Sequence, residues 1–164
     1  MTERATTARP RVLHFVTGGF SGATQVAVDL VSAHRASGRF DARLVLRRKR
    51  NTSDERVQKL RDGGIDVDVV AGWSHAATVW QLRRICLDFR PDIVVAHGFS
   101  DHLWGRFAAL WAGVPCLVHV EHNSRERYTR WRLAQALWLT ERTAAIVGCS
   151  EGVRQSLQAV SYTH

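Results

Sequence analysis

Two short apolar runs, separated by a segment long enough for a helix, stand out in residues 91–122 of the chain. They are residues 93–96, Ile-Val-Val-Ala, and residues 116–120, Cys-Leu-Val-His-Val, and a proline lies shortly before each. Runs of this kind are typical of strands that are buried on both faces, as in a parallel sheet. Because parallel strands need a crossover connection, the sequence predicts a strand–helix–strand unit here.

The same alternation of strand-like and helix-like segments extends along the chain. Six apolar, strand-like runs alternate with six helical segments between residues 11 and 160. Strict alternation predicts an α/β fold with a doubly wound, mostly parallel, six-stranded Rossmann-like sheet and helices on both faces. We expect residues 1–10 to be a flexible lead, since they are polar and lack an apolar core of their own, and residues 11–160 to form one domain.

The first predicted helix, residues 23–37, is amphipathic. Its apolar face is expected to consist of Val26, Leu30, Val31 and His34. Gly38 follows and should cap the helix at its C-terminus. This face should pack on the sheet.

Cysteine usage indicates a reducing compartment. The three cysteines, Cys86, Cys116 and Cys149, lie in apolar stretches, and no two of them form a Cys-x-x-Cys pair. We expect buried free thiols and a cytoplasmic location, because structural disulfides form in oxidising compartments.

The chain is strongly basic, with a formal net charge of +8, and almost all of its basic side chains are arginines. Arginine makes planar, bidentate contacts, so a phosphate-bearing ligand, an anionic membrane surface and a nucleic acid are all open as partners. Nucleic acid is the least favoured, because the basic run at residues 47–50 has no interleaved aromatic side chains for base stacking. A general preference for arginine over lysine would explain the composition equally well.

A glycine-rich segment joins the first predicted strand to the first predicted helix; we call residues 18–22 the glycine loop. Gly18, Gly19 and Gly22 would let backbone N–H groups approach an anion at the positive N-terminus of the helix. Their spacing differs from the G-x-G-x-x-G fingerprint of dinucleotide-binding folds. A tight strand-to-helix turn is the alternative explanation.

Two histidines come directly after buried strands. His97 ends the first apolar run, and His122 follows the second run after Glu121. Alternation along the second strand places His119 and Glu121 on one side of the sheet and His122 on the other. A histidine at the carboxyl end of a parallel strand can donate to a sugar hydroxyl or a phosphate, so both are candidate ligand-binding residues, with a solvated or capping role as the alternative.

We expect no metal site in the chain. Zinc ligands in proteins recur at short, regular spacings. The histidines that could take part do not show such a spacing; they are His97, His102, His119 and His122.

Two basic clusters lie near these positions. Arg47, Arg48 and Arg50 follow the second predicted strand, where arginines could contact a 2′-phosphate, although a solvated loop is the alternative. The second cluster combines arginines with aromatic residues at the start of a long predicted helix, residues 124–142. Such a combination is typical of helices that bind anionic membrane surfaces. The aromatic side chains could instead pack on the sheet. The members of this basic aromatic cluster are Arg125, Arg127, Tyr128, Arg130 and Trp131.

Several segments together resemble the N-terminal domain of a family-4-type retaining glycosyltransferase of the GT-B fold. The strongest match is residues 90–98, Arg-Pro-Asp-Ile-Val-Val-Ala-His-Gly, followed by Ala-Gly-Val-Pro at 112–115 and Val-Glu-His at 120–122. The strand and helix around the glycine loop, residues 60–67, and the strand–Ser-Glu–helix element at residues 145–154 also match. The resemblance covers residues 11–157.

The resemblance implies two Rossmann-like domains that face a cleft, the N-terminal one for the acceptor and the C-terminal one for a nucleotide-sugar co-substrate, with no metal. It implies that the glycine loop lies near the donor diphosphate, that His122 is catalytic beside the transferred sugar, and that Glu151 lies at the interdomain cleft. Many members dock on membranes through a basic, aromatic surface of this domain, which agrees with the basic aromatic cluster.

The donor-site pattern of the family, two glutamates eight positions apart, does not occur in the sequence. We therefore expect the donor-binding domain to be absent from this chain. The chain would be the acceptor-binding half of a transferase that moves a sugar to a glycan or lipid-linked acceptor, inactive until a donor-binding domain joins it in cis or in trans. It would act in the cytoplasm, at the inner face of the membrane, and its exposed cleft face could drive self-association. A stand-alone NADP-type binding domain and a non-catalytic interaction module are the alternatives.

Overall fold

The computed structural model describes residues 8–98, 101–122 and 129–162, in which strands and helices alternate. The strands are β1 (Arg11–Thr17), β2 (Asp41–Arg47), β3 (Asp66–Val70), β4 (Ile93–His97), β5 (Cys116–Glu121) and β6 (Ala145–Gly148). The helices are α1 (Gly22–Ser37), α2 (Asp54–Asp62), α3 (His75–Phe89), α4 (Asp101–Trp111), α5 (Arg130–Thr140) and α6 (Glu151–Tyr162). The predicted alternation is confirmed. None of the helices within the described ranges is both long and apolar enough to cross a membrane.

The strands of the described residues form one parallel sheet in the order β3-β2-β1-β4-β5-β6. The predicted doubly wound, Rossmann-like fold is therefore confirmed. The chain reverses its direction of travel across the sheet between β1 and β4, which makes their boundary the topological switch point. Since the strands are parallel, their carboxyl ends lie along a single edge, and ligands of such sheets bind outside that edge near the switch point.

The centre of the sheet is buried on both faces. On one face, Leu13, Phe15 and Val94 form a core with the apolar sides of α3 and α4. On the other face, Leu44 and Leu46 form a second core with residues of α1 and α2. This double burial explains why the sequence of β1, β2 and β4 is nearly continuous in apolar residues rather than alternating.

Helix α4 lies unusually close to the sheet. A Cβ atom placed on Gly105 would come within 2.6 Å of the Phe15 ring and 3.0 Å of the Ala96 Cβ. Both distances are shorter than ordinary carbon–carbon contacts, which lie near 3.5–4.0 Å. Glycine at position 105 therefore sets how closely α4 packs on β1 and β4.

Helix α1 packs through a face that only partly matches the predicted one, since Val31 is buried as expected. Its buried residues are Thr24, Ala27 and Val31. Val26 and Leu30 are 37% and 36% exposed, so their assignment to the inward face was wrong. The face with Thr24 and Ala27 can pack closely on the sheet because Ala27 is small. The hydroxyl of Thr24 donates to the carbonyl of Thr17 at 2.8 Å.

The prediction of buried thiols is correct for only one of the three cysteines. Cys86 is on the buried face of α3, and burial raises the pKa of its thiol to about 12. Cys116 is half-buried and Cys149 is exposed. Cys149 lies just after β6, an edge strand, so its apolar sequence neighbours do not cover it.

We expect Gly105→Ala to lower the free energy of unfolding by about 1–3 kcal/mol, because the added methyl group overpacks the contact with Phe15. Urea unfolding followed by circular dichroism would measure the change. Gly152→Ala is the matched control, since a Cβ on that helical glycine has no neighbour within 4 Å. The control should be neutral or slightly stabilising. Equal stability of wild type and Gly105→Ala would contradict the close packing of α4.

Candidate functional site

The predicted site residues in the described part of the chain lie at the carboxyl edge of the sheet. The glycine loop follows β1, His97 ends β4, and His122 follows β5. Glu151 is the first residue of α6, directly beyond β6. Because the four strands are parallel, these residues face the same edge, where the switch point also lies.

The glycines of the loop have different structural roles. The N–H of Gly18 donates to the carbonyl of Arg47 at 2.7 Å, and a Cβ at this position would lie 2.7 Å from that oxygen. Gly18 is therefore required by the close approach of the loop to the end of β2, as the tight-turn alternative predicts. A Cβ on Gly19 would lie 3.4 Å from the Asn51 side chain, and one on Gly22 would meet no described atom within 4 Å. The space beside Gly22 leaves the N-terminus of α1 accessible.

His122 and His97 contact each other, as do two further histidines. Nε2 of His122 lies 3.3 Å from Nδ1 of His97. Nε2 of His97 lies 3.0 Å from Nδ1 of His14 on β1, and Nε2 of His14 lies 3.4 Å from Nδ1 of His34 on α1. His14 and His97 are fully buried, whereas His34 and His122 are half-buried. Among the described residues, the fully buried His97 thus contacts the half-buried His122 at the edge of the sheet.

Burial keeps these histidines neutral. Desolvation, followed by the nearby His34, lowers the pKa of His14 to about 3. Desolvation, followed by the adjacent His14 and then His122, lowers the pKa of His97 to about 2. The pKa of His122 is also lowered by desolvation, and Glu121 partly opposes this shift. At neutral pH His122 therefore presents an uncharged imidazole at the edge of the sheet.

A second polar group lies on the opposite face of β5, under α4. The carboxylate of Glu121 accepts a hydrogen bond from the backbone N–H of His122 at 2.8 Å, and its other oxygen lies 3.3 Å from Nε2 of His119. The His119 ring stacks on His102, with 3.9 Å between the ring centroids. The predicted separation of His119 and Glu121 from His122 by strand alternation is confirmed by these contacts. Glu121 thus fixes the backbone at the start of His122.

The group formed by His102, His119 and Glu121 does not have the geometry of a metal site. Their potential ligand atoms lie within 4.8 Å of one another. However, the His102 and His119 rings are stacked at 23°, so their in-plane lone pairs do not converge on one point. The guanidinium of Arg106 also donates to Nδ1 of His102 at 2.8 Å, which places a positive charge where a cation would bind. The expectation that the chain needs no metal stays a prediction.

Arg47 is part of a buried ionic network. Its guanidinium pairs with Asp101 at the start of α4 and donates to the Thr78 hydroxyl at 3.2 Å. Lys49 also contacts Asp101, at 3.0 Å. Arg48 pairs with Asp54 at 2.8 Å on the surface. The arginines expected to bind a 2′-phosphate are thus largely engaged within the domain, which disfavours the NADP-type alternative.

The remaining predicted residues are more exposed. The carboxylate of Glu151 accepts two hydrogen bonds from Arg154, at 2.8 and 2.6 Å, and it is exposed at the start of α6. Arg130 and Trp131 are exposed on the first turn of α5, with Trp131 at 74%. Arg125, Arg127 and Tyr128 lie outside the described residues.

Sequence reasoning missed three residues that form contacts with or behind the predicted ones. They are His14, which contacts His97, His34 as a partner of His14, and Asp101, which pairs with Arg47. A polar residue at an inward position of an apolar strand was the available signal for His14. An acidic residue in the first turn of a helix is so common that Asp101 gave no signal of its own.

The sequence from residue 20 to residue 163 matches the model of the family named Glycosyltransferase Family 4. This match covers most of the chain. The chain belongs to glycosyltransferase family 4. A comparison with curated protein sequences gave no match.

Solved structures share the fold of this family 4 domain at low sequence identity. A UDP-N-acetylglucosamine 2-epimerase from Listeria monocytogenes, described as putative, superposes with a TM-score of 0.68 at 14% identity, covering 94% of this chain and 43% of that chain. The lipopolysaccharide outer core galactosyltransferase WaaB superposes with a TM-score of 0.65 at 13% identity, over 94% and 43% of the two chains. MurG from Acinetobacter baumannii superposes with a TM-score of 0.62 at 16% identity, over 88% and 42%. The family 4 domain therefore has the fold of an N-terminal GT-B domain and spans less than half the length of these structures.

The buried histidines predict an acid-sensitive stability for the family 4 domain. The folded-state pKa of His14, about 3, lies below the ordinary value of 6.5, so between these pH values the unfolded chain binds a proton that the folded chain does not. Stability should be fully present above about pH 6.5 and fall as the pH decreases towards 3. His14→Gln should reduce the slope of the free energy of unfolding against pH by up to about 1.4 kcal/mol per pH unit.

Urea unfolding at several pH values between neutrality and moderate acid would measure that slope. His75→Gln is the control, because His75 is exposed and should contribute much less to the slope. An unchanged slope in His14→Gln would show that His14 is not held neutral by the fold.

Proposed function

We propose that this domain is the acceptor-binding half of a retaining glycosyltransferase. The enzyme would move a sugar from a nucleotide-sugar to a glycan or lipid-linked acceptor. A donor-binding domain, in cis or in trans, would supply the other wall of the cleft and most contacts to the nucleotide. The domain would be inactive alone, because catalysis of this kind depends on groups that hold both reactants in position and stabilise the developing charge.

The observation that carries the proposal is the position of His122 relative to the switch point. Its imidazole lies at the carboxyl end of β5, contacts His97 at 3.3 Å, and remains half-exposed at the edge where ligands of such sheets bind. The N-terminus of α1 opens at the same edge, beside Gly22. A hydrogen-bonding imidazole and a positive helix end therefore flank the same edge, as a sugar linked to a diphosphate would require.

In the proposed enzyme, His122 acts on the transferred sugar and the glycine loop faces the diphosphate. A neutral imidazole can hydrogen-bond a sugar hydroxyl or a leaving phosphate oxygen, and such a contact matters for rate if it strengthens as charge develops. His97 would hold His122 in position through the contact between Nδ1 of His97 and Nε2 of His122. Glu151, held by Arg154, would face the interdomain cleft.

UDP-sugars are the first donors to test. Among the solved structures with this fold, one UDP-GlcNAc 2-epimerase, from Neisseria meningitidis, is bound to UDP-GlcNAc, and S. aureus MnaA is in complex with UDP. These ligands belong to those proteins and give a reasonable starting panel for this one. We propose that the reaction needs no metal, since the basic composition of the domain and the donor-binding domain can neutralise the diphosphate.

The activity test compares the domain alone with the complete enzyme that contains it. Radiolabelled UDP-sugars and membrane glycolipid acceptors should give turnover only with the donor-binding domain present. In the complete enzyme, His122→Ala should lower kcat by roughly 10²- to 10³-fold, as for the loss of one hydrogen-bond donor to developing charge. His122→Asn keeps a donor near the position of Nδ1 and should recover part of the loss. Turnover by the isolated domain, or full activity of His122→Ala, would refute the corresponding part of the proposal.

We propose further that the domain works at the inner face of the membrane, with the start of α5 against anionic lipid. Trp131 is 74% exposed and adjoins the exposed Arg130, so the two could bind the interface and the phosphate layer together. All five residues of the basic aromatic cluster are arginines or aromatic residues, the types that this role requires. The acceptor would then be reached from the lipid surface.

Trp131→Ala should weaken binding to vesicles that contain phosphatidylglycerol, and the loss should be smaller for neutral vesicles. Cosedimentation at low and moderate salt would measure this. Trp111→Ala is the control, because Trp111 is 62% exposed but ends α4, at the opposite edge of the sheet. Equal losses in the two variants would indicate unspecific adsorption of tryptophan rather than a docking site.

A further inference from the structure

Four histidines form a continuous row from the surface of α1 to the carboxyl edge of the sheet. The order is His34, His14, His97 and His122, and the three nitrogen–nitrogen distances along it are 3.4, 3.0 and 3.3 Å. Each link joins Nδ1 of one ring to Nε2 of the next ring. The inner histidines, His14 and His97, therefore use both of their ring nitrogens within the row.

The surroundings of the row leave little opportunity for water to replace these contacts. His14 and His97 are 1% and 0% exposed. His34 also contacts the ring of Phe40, with 4.8 Å between ring centroids. Outside the row, the described titratable groups that influence the pKa values of His97 and His122 are His119 and Glu121, which lie on the opposite face of β5. The inner links therefore depend on the protons of the row itself.

A neutral imidazole has one N–H donor and one nitrogen acceptor. If His14 donates through Nδ1, its Nε2 must accept, and the same constraint then applies to each neighbour. Only two arrangements satisfy all three links of the neutral row. In one, all four rings carry the proton on Nδ1, and Nδ1 of His122 points out of the row as a donor. In the other, all four carry it on Nε2, and Nδ1 of His122 is an acceptor.

We propose that His34, His14 and His97 are positioning residues that determine, through this row, whether Nδ1 of His122 donates or accepts a hydrogen bond at the carboxyl edge of the sheet. A change at the α1 end of the row is thereby transmitted to the candidate ligand-binding end. This inference concerns the protonation of the row in the free protein and does not depend on the proposed transfer reaction.

The two arrangements interconvert with a balanced movement of protons. Starting from the Nε2–H arrangement, a proton binds Nδ1 of His122. The Nε2 protons of His122, His97 and His14 then each move to Nδ1 of the next ring, and the Nε2 proton of His34 leaves to water. One proton enters, one leaves, and no ring remains charged.

The arrangement matters for the ligand that His122 can hold. A phosphate oxygen requires a donor, so it selects the Nδ1–H arrangement. A sugar hydroxyl that donates its proton selects the Nε2–H arrangement instead. By linkage, a ligand that accepts a hydrogen bond from His122 also changes the proton affinity of His34 at the other end of the row.

Nuclear magnetic resonance of the ¹⁵N-labelled chain tests the proposal without any ligand. Two-bond ¹H–¹⁵N spectra identify the protonated nitrogen of each imidazole. At about pH 8.5, well above the ordinary histidine pKa, the four histidines of the row should share one tautomer or the same mixture of tautomers. If any of the four has the opposite tautomer from its neighbours, the row is not coupled and the proposal fails.

Carboxylates at the two ends of the row should drive it in opposite directions. In His34→Asp the carboxylate lies near the former Nδ1 and can only accept, so it should fix His14 and His97 as Nε2–H tautomers. In His122→Glu the longer side chain places a carboxylate near the former Nε2, so it should fix His97 and His14 as Nδ1–H tautomers. Both end positions are half-buried, so each introduced carboxylate keeps part of its contact with solvent.

The control is His75→Asp, which adds the same charge at an exposed histidine outside the row. It should leave the tautomers of His14 and His97 as they are in the wild type. A switch of both inner histidines between His34→Asp and His122→Glu would support the proposal. The same inner tautomers in both variants would overturn it, whatever the result of the activity test for glycosyl transfer.

Discussion

Removal of water from both faces of the parallel sheet is the constraint on which the other features of this domain depend. A sheet covered by helices on each side leaves polar side chains in its centre with protein partners only. His14 and His97 meet this condition by remaining neutral and hydrogen-bonding to each other. The buried guanidinium of Arg47 is accommodated by its contacts with Asp101 and Thr78. The polar contacts near the edge thus differ between the histidines and Arg47, but all of them compensate for the removal of water.

The two halves of the carboxyl edge differ in how firmly they are held. At the β2 side, Arg47 and Asp101 connect a strand end to the start of α4, and Gly18 bonds directly to the end of β2. At the β6 side, the strand residues Ile146 and Val147 are 37% and 46% exposed, and Cys149 lies on the surface. The candidate residue His122 lies between these halves.

Much of the fold could be predicted from local patterns. The β-branched runs, the glycine cap and the regular alternation each act within a few residues, so the sequence displays them directly. Gly38, for example, caps α1 at its C-terminus as predicted. The inward face of α1 was misassigned because hydrophobicity alone favoured Val26 and Leu30, while close packing on the sheet selected the smaller Thr24 and Ala27.

The candidate site could be predicted only in part, because its contacts join distant parts of the chain. Strand-end position was enough to select His97 and His122. The partners His14 and His97 are 83 positions apart, and Arg47 and Asp101 are 54 apart. No periodicity within a strand or helix indicates which of its neighbours in the sheet will complete such a pair. The strand order had to be known before the histidines could be connected.

The missing side chain at position 105 also limits how this domain can vary among its relatives. Helix α4 cannot move by one residue along the sheet without bringing Trp104 or Arg106 against the Phe15 ring, where only Gly105 fits. The same contact determines the position of His102 along β5, because His102 and Gly105 are on the same helix. Positions 15 and 105 should therefore covary in sequence, with a residue larger than glycine on α4 accompanied by one smaller than phenylalanine on β1. The register of a whole helix thus depends on the combined volume of two residues.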